Sequence, residues 1–424
     1  MENTGYFKHK KVTVVGFARS GLACANLLYD LGAEVSVTDN QDNDSTRLNV
    51  SRLKAQNIRC EIGKHSAEFI KDRDLIVVSP GVPDTALPIV LAREFKIPII
   101  SEIELAWLLC PATVIAVTGS NGKTTVTTLI GKMLEADAKR VFILGNIGNP
   151  FAAEVEKMQA GDFVALEVSS FQLEKIRDFK PRISLILNFS CNHLDRHKDM
   201  QEYLAAKKRI FMNQDQSDYT VLNYDDPMVR GLADETKAKV ICFSQTPDFN
   251  PNQAAVLAVG SILGTDKEAC LKVLREFRGL EHRLEHVAEI NNITFINDSK
   301  STTVDSTIWA LKNITRPIVL IAGGRHKGLD YSVILELIHK KVKDIILIGE
   351  AKEKIKDSFK GFRAIQEAAT LDEAVRCALS RAKAGDCVLF SPMCSSFDMF
   401  SNYEERGRVF KKTVLDLTKS SHGP

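Results

Sequence analysis

The sequence predicts an α/β protein with mainly parallel sheets, divided into three domains. Three observations predict it. Short apolar runs alternate with helix-period stretches from Val12 onward. A glycine-rich loop, Thr118-Gly119-Ser120-Asn121-Gly122-Lys123-Thr124-Thr125, joins the apolar run 113–117 to a helix beginning at Lys123. Strand, helix and strand then resume after residue 284. Such alternation builds doubly wound sheets, whose loops at the carboxyl ends of the strands hold ligands.

At 424 residues the chain is long enough for two or three domains, and 44% hydrophobic with 26% charged residues is ordinary for a globular protein. A formal net charge of +2 gives no electrostatic case for nucleic acid or a membrane surface, so small molecules are the expected partners. The polar stretch 1–11 runs straight into a strand, and no apolar run approaches the ~20 residues of a membrane span, so neither a signal peptide nor membrane insertion is expected. The nine cysteines are scattered without a Cys-x-x-Cys pair, which fits reduced thiols and a cytoplasmic location.

In the first domain, 12–16, 34–38 and 75–79 read as strands and 22–31 as a helix. Gly16-Phe17-Ala18-Arg19-Ser20-Gly21 lies between the first strand and helix, with Asp39 after the second strand. This is a G-x-A-x-x-G variant of the dinucleotide fingerprint. Ala18 stands where a glycine would let the backbone approach a pyrophosphate, so a nicotinamide cofactor, another phosphate-bearing ligand and a plain turn all remain open. Ser79-Pro80-Gly81 forms a second loop at the same sheet edge. The stretch 100–109 reads as an apolar helix, and Cys110-Pro111 marks the first border.

The second domain opens with the phosphate loop. Glycines let backbone N–H groups close on phosphate oxygens, Lys123 reaches the outer phosphates, and the Thr124 hydroxyl suits Mg²⁺. Only two residues separate Gly119 from Gly122, whereas the usual pattern has four. Strands are expected at 140–144, 163–168 and 183–188. The later two deliver Glu167 and, just beyond Asn188, His193 to the same edge, a pair that suggests a site for a hard cation. The run 203–211 reads as a helix with Leu204, Ile210 and Phe211 on its apolar face, and on that pattern Lys207 is one more surface cation.

The third domain begins with a hairpin, 285–290 and 293–296, turning at Asn291-Asn292, and continues with strands at 318–322, 345–348 and 387–390. Polar loops follow three of its strands: 297–302, 323–328 and 391–398. Two carry a lysine, which points to anion recognition.

Together these stretches resemble the Mur ligases, and within them the members that add D-glutamate. The phosphate loop is shared with the wider superfamily, including folylpolyglutamate synthases. Glu167-Val-Ser-Ser-Phe-Gln-Leu-Glu, His193-Leu-Asp-Arg-His, Asn297-Asp-Ser-Lys-Ser-Thr and Ser391-Pro-Met-Cys-Ser-Ser-Phe-Asp-Met-Phe are more particular. The resemblance covers nearly the whole chain. It implies a Rossmann-like UDP-substrate domain at 1–109, a central P-loop ATPase-like domain at 110–283 and a Rossmann-like, D-glutamate-binding domain at 284–424. It also implies an ATP-driven amide ligation through an acyl phosphate, with UDP-N-acetylmuramoyl-L-alanine and D-glutamate as substrates, two Mg²⁺ ions and a monomeric protein.

The residue roles follow the same resemblance. Gly119, Ser120, Asn121, Gly122, Lys123, Thr124, Thr125, Asn250, Arg283 and Asp298 would contact ATP. Arg19, Ser20, Asp39, Ser79, Gly81 and Asn146 would hold the UDP end. Lys300, Thr302, Lys327, Ser396 and Tyr403 would form the D-glutamate pocket. Thr124, Glu167 and His193 would serve the metals, with Lys123, His193 and Lys207 catalytic. Lys207 falls at the family's carbamylated lysine, whose CO₂ adduct supports a metal. The sequence departs from the family pattern at Asn192, Phe249, His326 and Tyr403, which bears on second-layer and adenine contacts. A nicotinamide oxidoreductase or a slow nucleotide switch would leave most of these motifs without a task.

Overall fold

The computed structural model describes residues 4–190, 198–277, 279–326 and 328–420. The chain falls into two compact units, Met1–Phe277 and Arg278–Pro424. The first unit holds two sheets. One contains β1 (Lys11–Val15), β2 (Glu34–Asp39), β3 (Arg59–Ile62), β4 (Leu75–Val78) and β5 (Ile99–Ser101) in the order β3-β2-β1-β4-β5. The other contains β6 (Thr113–Thr118), β7 (Val141–Gly145), β8 (Phe163–Glu167), β9 (Ile183–Ile186), β10 (Tyr219–Asn223) and β11 (Lys239–Phe243) in the order β11-β10-β9-β6-β8-β7. Every pairing in both sheets is parallel. Helices cover both faces, so inner strands such as β4, Leu-Ile-Val-Val, are buried at every position.

The second unit holds β12 (Glu285–Ile290), β13 (Ile293–Asn297), β14 (Ile318–Gly323), β15 (Val342–Ile348), β16 (Ile365–Glu367) and β17 (Cys387–Phe390) in the order β12-β13-β17-β14-β15-β16. Only the β12–β13 hairpin is antiparallel among these pairs. Its turn residues Asn291 and Asn292 have φ of 52° and 59°, the left-handed backbone that a two-residue hairpin favours and asparagine tolerates.

Two differences from the sequence expectation concern borders. The stretch 100–109 is not one helix. Its β-branched Ile99-Ile100 pair adds an edge strand beside β4, and the helix spans only Glu102–Trp107. The first and central domains have separate sheets, yet one hydrophobic core joins them. Leu27, Leu28, Ile103 and Leu105 share it with Phe151, Ala152 and Phe179. The later break lies at Phe277 rather than Arg283.

Two buried carboxylates reinforce this junction. Glu104 accepts the backbone N–H groups of Arg177 (2.9 Å), Asp178 (2.8 Å) and Phe179 (3.0 Å). Glu102 accepts that of Ala152 at 2.7 Å.

Three further strands beyond those expected, β3, β11 and β16, are, like β5, sheet edges. An edge strand has a single partner and one poorly covered side, so its residues mix exposed with half-buried positions and carry no clean period. The fifth, β10, is an inner strand.

Candidate active site

The loops after β1 and β4 meet where the order of the first sheet reverses. They border a cavity of about 600 Å³ lined by Arg19, Ser20, Asp39, Ser79 and Gly81, together with Asn40, Gln41 and His65. Gly16 has φ +84°, and a Cβ there would lie 2.9 Å from Ser79 Cβ, so only glycine fits. Ser79 Oγ donates to Gly16 O at 2.7 Å, and Asp39 accepts from Phe17 N (2.6 Å) and Gln41 N (2.8 Å). Asp39 thereby shapes the loop. Arg19 Nη2 donates to Gly148 O across the junction with the central domain. Asn146 is not among the residues lining this cavity. Its Nδ2 donates to Glu167 Oε1 at 2.7 Å.

The phosphate loop sits at the carboxyl end of β6, between β8 and β9, again at a reversal of strand order. Gly119 and Gly122 have φ of 151° and 82°. The helix Lys123–Ala136 follows directly, so its first N–H groups face the loop. Lys123 Nζ donates to Gly119 O (2.9 Å) and Ser120 O (3.0 Å). Asn188 at the end of β9 braces the loop from the other side: its Oδ1 accepts from Asn121 N at 2.8 Å and its Nδ2 donates to Asn121 O at 3.1 Å.

Glu167 and Lys207 complete this cluster. Glu167 is 1% exposed, and its Oε2 is buried without a hydrogen-bond partner among the described residues. A buried carboxylate oxygen left unpaired is costly unless a cation or donor meets it. Lys207, expected from its pattern to be a surface cation, is also 1% exposed. The helix Met200–Lys208 turns it inward, where Nζ donates to Gly119 O at 2.8 Å and lies 4.5 Å from the centre of the Tyr203 ring. Burial first, and then the charge of Lys123, hold its amine well below the usual lysine range, against the opposing effect of Glu167. His193 lies outside the described residues, as does Asn192.

Asn250 caps the helix Pro251–Leu263 in a capping box with Gln253. Its neighbour Asn252 is the residue that abuts the phosphate loop, since a Cβ on Gly122 would lie 2.5 Å from Asn252 Oδ1.

In the second unit the three polar loops follow β13, β17 and β14, which are adjacent and parallel, so all three emerge at one sheet edge. Asp298 is 1% exposed. It accepts from Leu284 N (3.2 Å), Ser301 Oγ (2.5 Å) and Ser391 Oγ (2.7 Å). Desolvation pushes its carboxyl up to about 6 in spite of these bonds. Asp298 therefore ties two loops together from inside. Arg283 stacks over Trp309 at 5.5 Å, and Lys300 lies 6.0 Å from the Tyr403 ring centre. Ser396 is buried, and Thr302 and Tyr403 are half-buried. Lys327 lies outside the described residues.

Three family descriptions match the chain in sequence: the Mur ligase MurD-like N-terminal domain over residues 10–101, the Mur ligase middle domain over 117–262, and the Mur ligase glutamate ligase domain over 282–394. A protein of Thermoanaerobacter pseudethanolicus named UDP-N-acetylmuramoylalanine–D-glutamate ligase is 40% identical, over 97% of this chain and 99% of its own length. The chain belongs to the Mur ligase family.

Relatives of the same name from Caldicellulosiruptor bescii and Geotalea uraniireducens are 42% and 41% identical, over 97% and 96% of this chain and 98% of each relative. The crystal structure of UDP-N-acetylmuramate-alanine ligase from Thermotoga maritima superposes with a TM-score of 0.59 at 20% identity, covering 97% of this Mur ligase and 100% of that chain. The MurF ligase of the same organism, in complex with ADP, gives 0.56 at 15%, covering 98% of each chain. These two share the fold.

Several residues of this Mur ligase that shape the site escaped sequence reasoning. His65 lines the first cavity from a half-buried position. Tyr203, within hydrogen-bond reach of Ser120 at 3.4 Å, forms the wall over Lys207. Arg406, in the helix Tyr403–Ser420, is the largest fully buried side chain among the described residues. Only Tyr203 had a signal, its place one helical turn before Lys207.

Proposed function

We propose that this Mur ligase is the ATP-dependent enzyme that joins D-glutamate to UDP-N-acetylmuramoyl-L-alanine in cytoplasmic peptidoglycan precursor synthesis, acting as a monomer. The observation that carries the chemistry is the cluster at the phosphate loop, where Lys123, Lys207 and Glu167 converge on one strand edge. The choice of acceptor rests on the relatives that bear that name.

The reaction has two steps. A carboxylate oxygen of the UDP substrate attacks the γ-phosphorus of ATP, the bond to the β-phosphate oxygen breaks, and ADP leaves. The amine of D-glutamate then attacks the acyl carbon; phosphate leaves with the bonding pair, and the amine loses a proton. A carboxylate is a poor electrophile until its oxygen becomes this leaving group. Phosphoryl transfer asks mostly for positioning and charge neutralisation. The backbone N–H groups of 119–125 and the Lys123 ammonium supply both at the phosphate oxygens, with Asn188 keeping the loop rigid.

Oxygen donors fit Mg²⁺, and two stand here: the Thr124 hydroxyl and Glu167, whose Oε2 lacks a partner. Thr124 and Glu167 would hold metal, joined by His193 and by Lys207 as its carbamate. Bound Mg²⁺ supplies charge neutralisation on the transferring phosphoryl group. The depressed basicity of Lys207 favours the neutral amine, which alone adds to CO₂ to give a carbamate and a proton. The cavity of Arg19, Ser20, Asp39, Ser79 and Gly81 is the proposed UDP site, with Asn146 reaching from the side of Glu167. Asn250, Arg283 and Asp298 are proposed near ATP. Lys300, Thr302, Lys327, Ser396 and Tyr403 are proposed to form the D-glutamate pocket.

Oxygen-18 in the substrate carboxylate tests the route. One labelled oxygen should appear in inorganic phosphate for each amide formed. Phosphate free of label would exclude the acyl phosphate.

A further inference from the structure

The mechanism above gives no task to a buried cation of the second unit. Arg406 is 1% exposed. Its Nε donates to Ser299 Oγ at 3.0 Å, its Nη2 to Ser299 O at 2.8 Å and its Nη1 to Cys394 O at 3.2 Å. Ser299 Oγ passes the connection on, donating to Tyr403 O at 2.8 Å. The guanidinium lies 5.8 Å from the centre of the Phe390 ring. On its other side is Gly324, φ +136°, where a Cβ would stand 3.2 Å from Nη1 and 2.3 Å from Ser395 O.

One side chain thus bonds the loops after β13 and β17 and leaves no room for a side chain at Gly324 in the loop after β14. Its acceptors adjoin Lys300 on one loop, are two residues from Ser396 on another, and include, through Ser299, the backbone of Tyr403. A planar fork of fixed N–H directions meets such scattered acceptors; a lysine ammonium at the end of a flexible stem does not. The hydrogen-bond acceptors are all neutral; Asp398, on the loop after β17, favours the charged guanidinium from beyond hydrogen-bonding distance. Desolvation pulls the guanidinium down to about 10 although the charge of Asp398 opposes it, so its position at this junction calls for a reason beyond packing. An anionic ligand in the pocket these loops border would meet that charge.

We propose that Arg406 is the positioning residue of the amino-acid pocket, locking the loops of Lys300 and Thr302, of Ser396 and of Tyr403 into one arrangement that presents a fixed positive charge toward an acceptor with two carboxylates. This rests on the reading that these loops hold D-glutamate.

The test uses the full-length protein and R406K, with R406M as a second variant. Steady-state KM values are measured for D-glutamate, the UDP substrate and ATP. Amide hydrogen exchange is followed in 297–302 and 391–398, with 113–136 as control. Loss of charge-assisted hydrogen bonds of this kind corresponds to about tenfold or more in affinity. R406K should therefore raise the KM for D-glutamate about tenfold, leave the other two unchanged, and speed exchange in the two loops but not in the control. Equal rises in all three KM values, or a lower melting temperature with unchanged KM and unchanged loop exchange, would overturn the proposal. Wild-type protein that shows no dependence on D-glutamate would sink the acceptor reading instead. Loop exchange would still report on the locking by Arg406, and unaltered exchange in both variants would overturn that too.

Discussion

Lys207 shows how far tertiary context can override local pattern. It sits beside Lys208 and Arg209 in a polar helix, where a long cationic side chain normally reaches for water. Tyr203, one turn earlier, covers it instead, and its ammonium is left with backbone and hydroxyl acceptors rather than a carboxylate partner at bonding distance. The folded-state pKa lies well below the ordinary lysine value, so more of the amine is neutral at a given pH than in an exposed lysine. Lowering the pH then restores the proton and removes the amine that reacts with CO₂. Ligase activity at fixed dissolved CO₂ should fall as pH drops through that depressed pKa, and added bicarbonate should raise it in CO₂-depleted samples. Native mass spectrometry should find a CO₂ adduct on Lys207. An unmodified lysine, with activity indifferent to bicarbonate, would refute the carbamate.

The loops of the site were legible in the sequence because their chemistry is local. Gly119 and Gly122 need left-handed backbone, Asn291-Asn292 makes its own turn, and Asp39 follows its strand at the expected distance. Lys207 and Arg406 were not legible as buried groups, because part of what encloses each comes from a segment more than eighty residues away, Gly119 in one case and Ser299 in the other. Asn250 was singled out where Asn252 touches the phosphate loop, since only the fold shows which of the two is engaged in a helix cap.

Among elements, the short helix Glu102–Trp107 sets the geometry of the first unit, because it joins the sheet that borders the first cavity to the sheet of the phosphate loop. Its two buried carboxylates behave differently. Glu104 has three backbone donors, and Glu104→Ala would leave that of Phe179 buried and unpaired and those of Arg177 and Asp178 part-buried and unpaired. A loss of about 2–3 kcal/mol is expected, read as a lower denaturant midpoint. Glu102 accepts from Ala152 N at 2.7 Å, its Oε2 has no hydrogen-bond partner among the described residues, and desolvation pushes its carboxyl up to about 7. Its folded-state pKa therefore exceeds the unfolded value of 4.5, so the protonated form carries the stability. That contribution is fully present below about 4.5 and lost as pH rises through 7, on the order of 3 kcal/mol in all. Glu102→Gln keeps the acceptor for Ala152 N and removes the titration. Wild type should lose melting temperature relative to Glu102→Gln between pH 5 and 8; parallel profiles would contradict the assignment. The edge strands β3, β11 and β16 were unreadable for a related reason: with one neighbour each, they have little apolar signal to display.

On the scale of the whole molecule, two units with their own hydrophobic clusters carry the three loop systems, and each system sits at the carboxyl ends of parallel strands. The doubly wound pattern read from strand and helix alternation was enough to anticipate that placement, because ligands of such sheets collect where the strand order reverses. No helix among the described residues is long and apolar enough to cross a membrane. The central claim is that the phosphate loop activates one particular carboxylate for one particular amine. Phosphate release from ATP in the presence of UDP-N-acetylmuramoyl-L-alanine tests it most directly, comparing D-glutamate with L-glutamate, meso-diaminopimelate, L-alanine and no acceptor. Release that requires both the UDP substrate and D-glutamate is predicted. Release with another acceptor would move the protein elsewhere in the family, and release indifferent to every acceptor would contradict the ligase reading.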